Sequence, residues 1–338
     1  MLPSAFSSNK PSTDATVSVI IPVYNNEAYL DRCISSLQAQ TFKNWTAIFV
    51  NDGSKDNSQT ILEKYAAEDS RIQLINKPNG GAASARNAGL DAACTEYITM
   101  VDADDAITPD ALERLLTAAT ETKCDIVVAA CAVYGSNGSV SGDCRNISGF
   151  MPAVPRALFR NVYRGPVAKL YRRDIIERYH LRMPEDMTLA EDYVFVTSYW
   201  TRCKTAYAIS EPLYHYYYSG NENSLVHRFC RRELPFEAYR LNAEAAWHTF
   251  RFLTANEKDK NVISAWTYEL YRDLWKMSNN SCRYLCKEHE RAQIRKERQS
   301  HDKEMRKYVS FFSYIFMPHR HPKLASLLMQ IKHALKRR

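Results

Sequence analysis

Two hydrophobic rhythms take turns along the first 135 residues. Val17-Ser-Val-Ile-Ile-Pro-Val23 is a β-rich apolar run, and the stretch after it sets Leu30, Ile34 and Leu37 on one helical face behind the capping candidates Asn25 and Asn26. The alternation continues. Strands are predicted over residues 45–50, 71–75, 97–101 and 125–134. Helices are predicted over 58–67 and 81–93, and a further one opens at Thr108-Pro109, with proline in the first turn. Strand and helix in alternation predict an α/β layer on a mostly parallel sheet, whose ligands sit beyond the carboxyl ends of the strands. Asn25, Asp52 and the run Asp102-Ala-Asp-Asp105 all fall at such ends.

After Tyr134 the pattern loosens. Residues 135–165 contain Gly, Ser and Asn with little periodicity and read as a loop or flap. Helical stretches are predicted near 169–179 and 190–202, and a tyrosine-rich strand over 212–218. From about residue 231 the chain reads as helical throughout. The expected organisation is a flexible tail over 1–16, an α/β domain over 17–228 and a basic helical region over 229–338.

Composition narrows the function classes. No apolar stretch in the 338 residues approaches the roughly 18 needed to span a bilayer. Residues 1–16, rich in Ser, Pro, Asn and Thr, lack the apolar centre of a signal peptide. Nine cysteines, an odd number scattered through apolar segments, fit a reducing compartment, so a cytoplasmic location is expected. Cys282 and Cys286 have no second pair to complete a zinc site and read as structural thiols. Residues 1–230 carry 22 basic and 26 acidic side chains, while residues 231–338 carry 23 and 12, so a net −4 part precedes a net +11 part. Leu324, Leu327, Leu328, Ile331 and Leu335 share one helical face next to Lys332 and the terminal Lys336-Arg-Arg338. Such a helix packs on its own domain, pairs subunits, or lies on an anionic membrane surface at the inner face of the cell membrane. Nucleic acid is not an expected partner, because no binding signature accompanies the charge. No G-x-x-x-x-G-K-[ST] is present and no G-x-G-x-x-G follows the first strand, which disfavours a P-loop nucleotidase and a dinucleotide oxidoreductase.

Four elements carry candidate chemistry. Asp52, in Phe49-Val-Asn-Asp-Gly-Ser54, either accepts a hydrogen bond from a base N–H or makes an Asx turn. Asp102, Asp104 and Asp105 would repel one another in isolation, and a divalent cation shared with phosphate relieves that; a solvated acidic turn is the alternative. Glu191-Asp192 opens a predicted helix, where a carboxylate serves as a general base or simply complements the helix dipole. Arg86, within Asn79-Gly-Gly-Ala-Ala-Ser-Ala-Arg-Asn-Ala-Gly89, can pair with the acidic cluster or with a phosphate.

The order of these motifs is specific. Val-Ser-Val-Ile-Ile-Pro-Val-Tyr-Asn (17–25), Val-Asn-Asp-Gly-Ser (50–54), Asn-Gly-Gly with Ala-Arg-Asn-Ala-Gly (79–89), Val-Asp-Ala-Asp-Asp (101–105) and Ala-Glu-Asp-Tyr-Val-Phe (190–195) follow one another. The chain resembles glycosyltransferase family 2, inverting enzymes of the GT-A fold, over about residues 17–225. Gly165-Pro-Val-Ala-Lys-Leu-Tyr-Arg-Arg173 is similar to a stretch found in many bacterial members. The resemblance implies a Rossmann-like mixed sheet of the nucleotide-diphospho-sugar transferase type with a helical C-terminal extension. It implies transfer from a nucleotide sugar, UDP-linked in the commonest case, to a hydroxyl of a glycan or lipid-linked glycan in bacterial surface-polysaccharide synthesis.

By the same resemblance Pro22, Tyr24 and Glu27 frame the nucleotide pocket, Asp52 recognises the base, and Arg86 lies beside the diphosphate. Asp102 lies near the ribose and sugar, Asp104 holds Mn²⁺ or Mg²⁺, and Asp105 is close to the donor sugar or the metal. Asp192 is the catalytic base, supported by Glu191. For the closing metal contact His215 is one candidate, and His227 with Arg228 another; many relatives place an arginine soon after the aromatic strand, where this chain reads Tyr-Ser-Gly-Asn. A catalytically inactive sugar-nucleotide scaffold is the competing reading, and the intact Asp102, Asp104 and Asp192 argue against it.

Overall fold

The computed structural model describes residues 16–135, 140–142, 148–152, 165–217, 225–285 and 287–308. The expected N-terminal tail up to residue 15, most of the 135–165 stretch, Tyr218, Cys286, the side chain of His227 and the amphipathic segment 322–335 lie outside the described residues. The chain divides into two compact units, Met1–Ala153 with Ala157–Ser224, and Val154–Arg156 with Leu225–Arg338.

The first unit is built on a ten-stranded sheet. Its parallel half has the order β3-β2-β1-β4, from β1 (Val17–Val23), β2 (Trp45–Asn51), β3 (Ile72–Asn76) and β4 (Tyr97–Met100). The helices α1 (Leu30–Gln38), α2 (Ser58–Glu68) and α3 (Gly81–Ala92) connect these strands. β2 is buried along its whole length and β1 nearly so, which is why both read as continuous apolar runs. α1 buries Leu30, Cys33, Ile34 and Leu37, the face the periodicity predicts. α3 lies close on β1 because Gly89 faces Ile20; a Cβ at Gly89 would stand 2.4 Å from Ile20 Cγ2.

The second half of the sheet departs from simple alternation. It contains β5 (Ala106–Ile107), β6 (Ile126–Tyr134), β7 (Val140–Gly142), β8 (Gly149–Pro152), β9 (Lys169–Arg172) and β10 (Thr205–Tyr217). The order continues β4-β9-β6-β10-β5, with β7 on β6 and β8 on β10. β9 runs antiparallel between β4 and β6, and Tyr171 is registered with both Ile98 and Ile126. The sequence predicts a helix near 169–179, yet only α5 (Arg173–Arg178) is helical. Pairing on both edges of β9 overrides the local preference of Lys-Leu-Tyr-Arg. Helix α4 (Ala111–Thr122) begins after Pro109 rather than on it, because Ala106–Ile107 pairs with β10 and residues 108–110 are used to turn. α6 (Glu191–Trp200) matches the predicted helix closely. β10 is longer than the predicted strand, and its register shifts on either side of Pro212, which has no N–H for the ladder.

The second unit is helical, with α7 (Leu225–Cys230), α8 (Phe236–Asn256), α9 (Lys260–Tyr284) and α10 (Glu288–Met305). Its interior holds Leu241, Phe250, Leu253, Ile263, Trp266 and Leu274. Asp259 caps α9 by accepting a hydrogen bond from the Asn261 N–H at 2.8 Å. No helix among the described residues is long and apolar enough to cross a membrane.

Candidate active site

The acidic run begins where β4 ends. The Val101 N–H donates to the Ile20 carbonyl at 3.1 Å, and the chain then turns, with the Asp105 N–H on the Asp102 carbonyl at 3.0 Å. Asp102 and Asp104 are half-buried, whereas Asp105 is wholly buried. Both Asp105 oxygens are committed to β10: one accepts the Tyr214 hydroxyl at 2.6 Å, the other the Tyr217 N–H at 2.8 Å. The Tyr214 hydroxyl also accepts the Asp102 N–H at 3.1 Å. Arg32 closes the turn from α1, donating to the Asp104 carbonyl with its guanidinium 3.7 Å over the Tyr217 ring. Burial, then the Asp102 and Asp104 charges, push the Asp105 carboxyl up to about 8, against the two hydrogen bonds. The sequence places Asp105 beside donor sugar or metal; the structure turns it inward, as the bolt between the acidic turn and β10.

His215 stands on β10 opposite Ala106, two residues beyond Asp104 in the chain, and its ring is 5.3 Å from that of Tyr134. Burial pushes its pKa below the ordinary value, so the imidazole is neutral at neutral pH. Among the described residues no group of three or more His, Cys, Asp and Glu side chains could hold a metal ion alone. A half-buried carboxylate on Asp104 and a neutral imidazole on the strand beside its turn are donor types that suit Mn²⁺ or Mg²⁺. Arg228, the other candidate, lies in the helical unit.

Arg86 joins the acidic turn to α6. It is 7% exposed on α3, and its guanidinium donates to Asp102 at 2.7 Å and to Glu191 at 3.5 Å. Burial alone lowers its pKa, but Asp102, Glu191 and Asp192 outweigh that and hold it firmly cationic. Its Nε has no hydrogen-bond partner among the described residues. α6 starts abruptly, on Ala190 at φ 63°, a left-handed residue without glycine's freedom. The strained corner presents Glu191 and Asp192 together at the helix N-terminus. Burial, then the Asp192 charge, push Glu191 up to about 8, with Arg86 opposing. Burial also raises Asp192, against Arg86, the Tyr193 N–H and Lys169. Asp192 keeps part of its surface open to solvent, whereas Glu191 is buried.

The ends of β1 and β2 carry the remaining predicted residues. Tyr24 is 44% exposed there, and Pro22 is half-buried beneath it. Glu27 ties the two loops, accepting the Asn57 N–H at 2.8 Å while its own N–H donates to Asp56 at 3.0 Å. The Asx turn predicted for Asn-Asp-Gly-Ser is present, but Asn51 makes it, accepting the Ser54 N–H at 3.1 Å. Asp52 instead organises the start of α3. Its oxygens accept Lys77 Nζ at 2.6 Å, the Gly80 N–H at 2.9 Å, the Gly81 N–H at 2.7 Å and Asn79 Nδ2 at 3.1 Å. Four donors fill the acceptor capacity of one carboxylate. A base N–H that reaches Asp52 must displace one of them; of the two side-chain donors, Lys77 is half-buried and Asn79 is exposed.

Pro22, Tyr24, Glu27 and Asp52 therefore sit at the ends of β1 and β2, and Arg86, Asp102, Asp104, Glu191, Asp192 and His215 on the β4–β10 side. The sequence reading missed Arg32, Lys77, Tyr214 and Tyr217, whose importance rests on contacts with distant segments. It also assigned no role to Lys169. A single charge in the otherwise apolar run Gly-Pro-Val-Ala-Lys-Leu-Tyr was the available signal.

Comparisons with known proteins identify the family and the fold. The sequence profile of glycosyl transferase family 2 matches residues 18–179. The uncharacterized glycosyltransferase EpsJ of Bacillus subtilis is 35% identical over 234 residues, covering 65% of this chain and 64% of EpsJ. EpsH of the same organism is 35% identical over 235 residues, covering 67% of this chain and 68% of EpsH. The match thus spans about two thirds of these relatives' length. The crystal structure of S. aureus TarS 1–349 in complex with UDP-GlcNAc aligns with a TM-score of 0.59 at 19% identity, covering 88% of this chain and 93% of that one. That likeness shows a shared GT-A fold. The profile match spans β1 to β9, EpsH shares 35% identity over two thirds of both chains, and the chain belongs to glycosyl transferase family 2.

Proposed function

We propose that the protein is an inverting glycosyltransferase that moves one sugar from a nucleotide sugar, UDP-linked, to an acceptor hydroxyl of a bacterial surface polysaccharide. One observation carries this reading: the Arg86 bridge, whose single guanidinium gathers Asp102 and Glu191 from 16 and 105 residues along the chain. It puts the acidic turn and the Glu191-Asp192 corner around one space, with a fixed cation between them.

In that space Tyr24 offers an exposed ring for the base to stack on, and Pro22, Glu27 and Asp52 set the rim. Arg86 faces the diphosphate, and its firm charge favours departure of a dianionic leaving group. A divalent ion held by Asp104 and His215, Mn²⁺ or Mg²⁺, would supply further neutralisation of that leaving group. Asp192 takes the proton from the attacking hydroxyl, and Glu191, buried and raised to about 8, holds Arg86 in place. A single displacement inverts the anomeric carbon and needs no second carboxylate nucleophile.

Calorimetry with UDP and a set of UDP-sugars, each with and without Mn²⁺, identifies the donor, and a turnover assay follows. Asp192→Asn is expected to lose about 10²–10⁴-fold in turnover while UDP binding persists. Loss of UDP binding in that variant would make Asp192 structural. Nucleotide binding without turnover would favour the inactive sugar-nucleotide scaffold, and absence of any nucleotide response would overturn the donor reading.

A further inference from the structure

Lys169 places a positive charge where proteins rarely put one. It lies in β9, paired on both edges, and is 0% exposed. The loop before it, residues 165–168, is buried too, with Ala168 at φ 56°. Every carbonyl of that loop has a donor. Lys169 Nζ donates to Gly165 at 2.6 Å and to Val167 at 3.1 Å, the Tyr171 hydroxyl to Pro166 at 2.9 Å, and the Ala129 N–H to Ala168 at 2.9 Å. Neutral donors would satisfy those carbonyls equally well. A buried lysine loses its proton unless negative charge or strong acceptors face it, and carbonyls alone do not account for a charge there.

The packing shows where that charge is. Residues two apart on a strand share a face, so Lys169 and Tyr171 point the same way. The Tyr171 ring meets α6 edge-on, 5.8 Å from Phe195 and 5.0 Å from Tyr199. Asp192, Phe195 and Tyr199 form one stripe of that helix, at i, i+3 and i+7. The face of β9 that carries Lys169 is therefore the face on which the Asp192 stripe rests. We propose that Lys169 is a positioning residue for sugar transfer, its buried ammonium fixing the 165–168 loop under α6 and holding Asp192 in its base form. This rests on the reading of Asp192 as the base. The other groups facing Asp192 are Arg86 on α3, Asp102 after β4, Tyr171 on β9 and Glu191 beside it on α6, and of these Arg86 acts in the same direction as Lys169.

The test uses the full chain with ¹³C-labelled aspartate, the Asp192 carboxyl resonance being assigned by its loss in Asp192→Asn. Lys169→Gln keeps hydrogen-bond donors and removes the charge; Lys169→Met removes both; Lys169→Arg keeps the charge. Removing a cation favours the protonated carboxyl, so the Asp192 midpoint is expected to rise by at least about half a pH unit, a threefold change in proton affinity, in both neutral variants. It should stay close to wild type in Lys169→Arg, and the acid limb of turnover should follow the same shifts. An unmoved midpoint in a folded neutral variant overturns the proposal. Loss of the fold in both neutral variants but not in Lys169→Arg supports it, and loss in all three overturns it in favour of a purely steric role. Wild-type turnover in Asp192→Asn would instead defeat the base reading while leaving the measured coupling intact.

Discussion

The contact between Gly89 and Ile20 makes a sharp test of how the sheet positions Arg86. In Gly89→Ala the new Cβ stands 2.4 Å from Ile20 Cγ2, and 3.4 Å from its Cβ and Cγ1. Carbon–carbon contacts settle at about 3.5–4.0 Å, so helix and strand must separate by about 1 Å. Ile20 cannot yield, because it is 0% exposed and its strand is paired with β2 on one side and β4 on the other. Two effects compete. Alanine is the better helix former by about 1 kcal/mol, whereas overpacking costs about 1–3 kcal/mol. So short a contact lies at the severe end, and a net loss of about 1–2 kcal/mol is expected. That corresponds to a Tm lower by about 2–8 °C.

The functional consequence should exceed the loss of stability. Arg86 lies one turn before Gly89, and its hydrogen bond to Asp102 is 2.7 Å long. A lift of about 1 Å carries that bond out of range. UDP affinity and turnover should therefore fall in protein that is still folded at the assay temperature. Urea denaturation of Gly89→Ala, Ile20→Ala and the double variant completes the test. Ile20→Ala removes Cγ2, the carbon in severe clash, along with Cγ1, so the double variant should be more stable than the sum of the singles by at least about 1 kcal/mol. If Gly89→Ala is as stable as wild type, or the two changes simply add, α3 is not seated on Ile20 and the argument for Arg86 placement fails.

Two further outcomes follow from the same geometry. Tyr214→Phe removes the hydroxyl shared by Asp105 and the Asp102 N–H, which should cost about 2–3 kcal/mol in urea denaturation and weaken UDP binding in the presence of Mn²⁺. Unchanged calorimetric UDP affinity in that variant would show that the acidic turn keeps its shape without β10. The ligand-free protein should lose stability as pH rises. Glu191 and Asp105 have folded pKa values raised from 4.5 and 3.8 to about 8, so the folded state holds protons the unfolded chain releases. Their contribution is fully present below about pH 4 and is lost as pH climbs through 8. Tm followed from pH 5 to 9 should fall, and Glu191→Gln should flatten the slope; a Tm that rises across this range in wild type and variant alike rules this account out.

What the sequence discloses about this site depends on how far away each residue's partner lies. The strands β1 and β2 announce themselves because both faces are covered, so every position wants an apolar side chain and the signal is local. Parallel strands then bring their carboxyl ends to one edge, which is enough to place Asp52 and Asp102–Asp105 there without coordinates. It is not enough to say which carboxylates face outward. Asp105 differs from Asp104 by one position, yet its oxygens are claimed by Tyr214 and Tyr217, 109 and 112 residues away. Asp52 is likewise claimed by Lys77, Asn79, Gly80 and Gly81, 25 to 29 residues on. β9 escapes notice for a related reason, since four residues paired with β4 and β6 need no strand propensity of their own. Acid clusters at strand ends thus contain two kinds of residue, those that bind and those that hold the binding turn in shape. Only the second kind leaves its mark on another strand, and in this chain the mark is the run of tyrosines in β10: the aromatic strand recognised in the sequence is the support of the acidic turn.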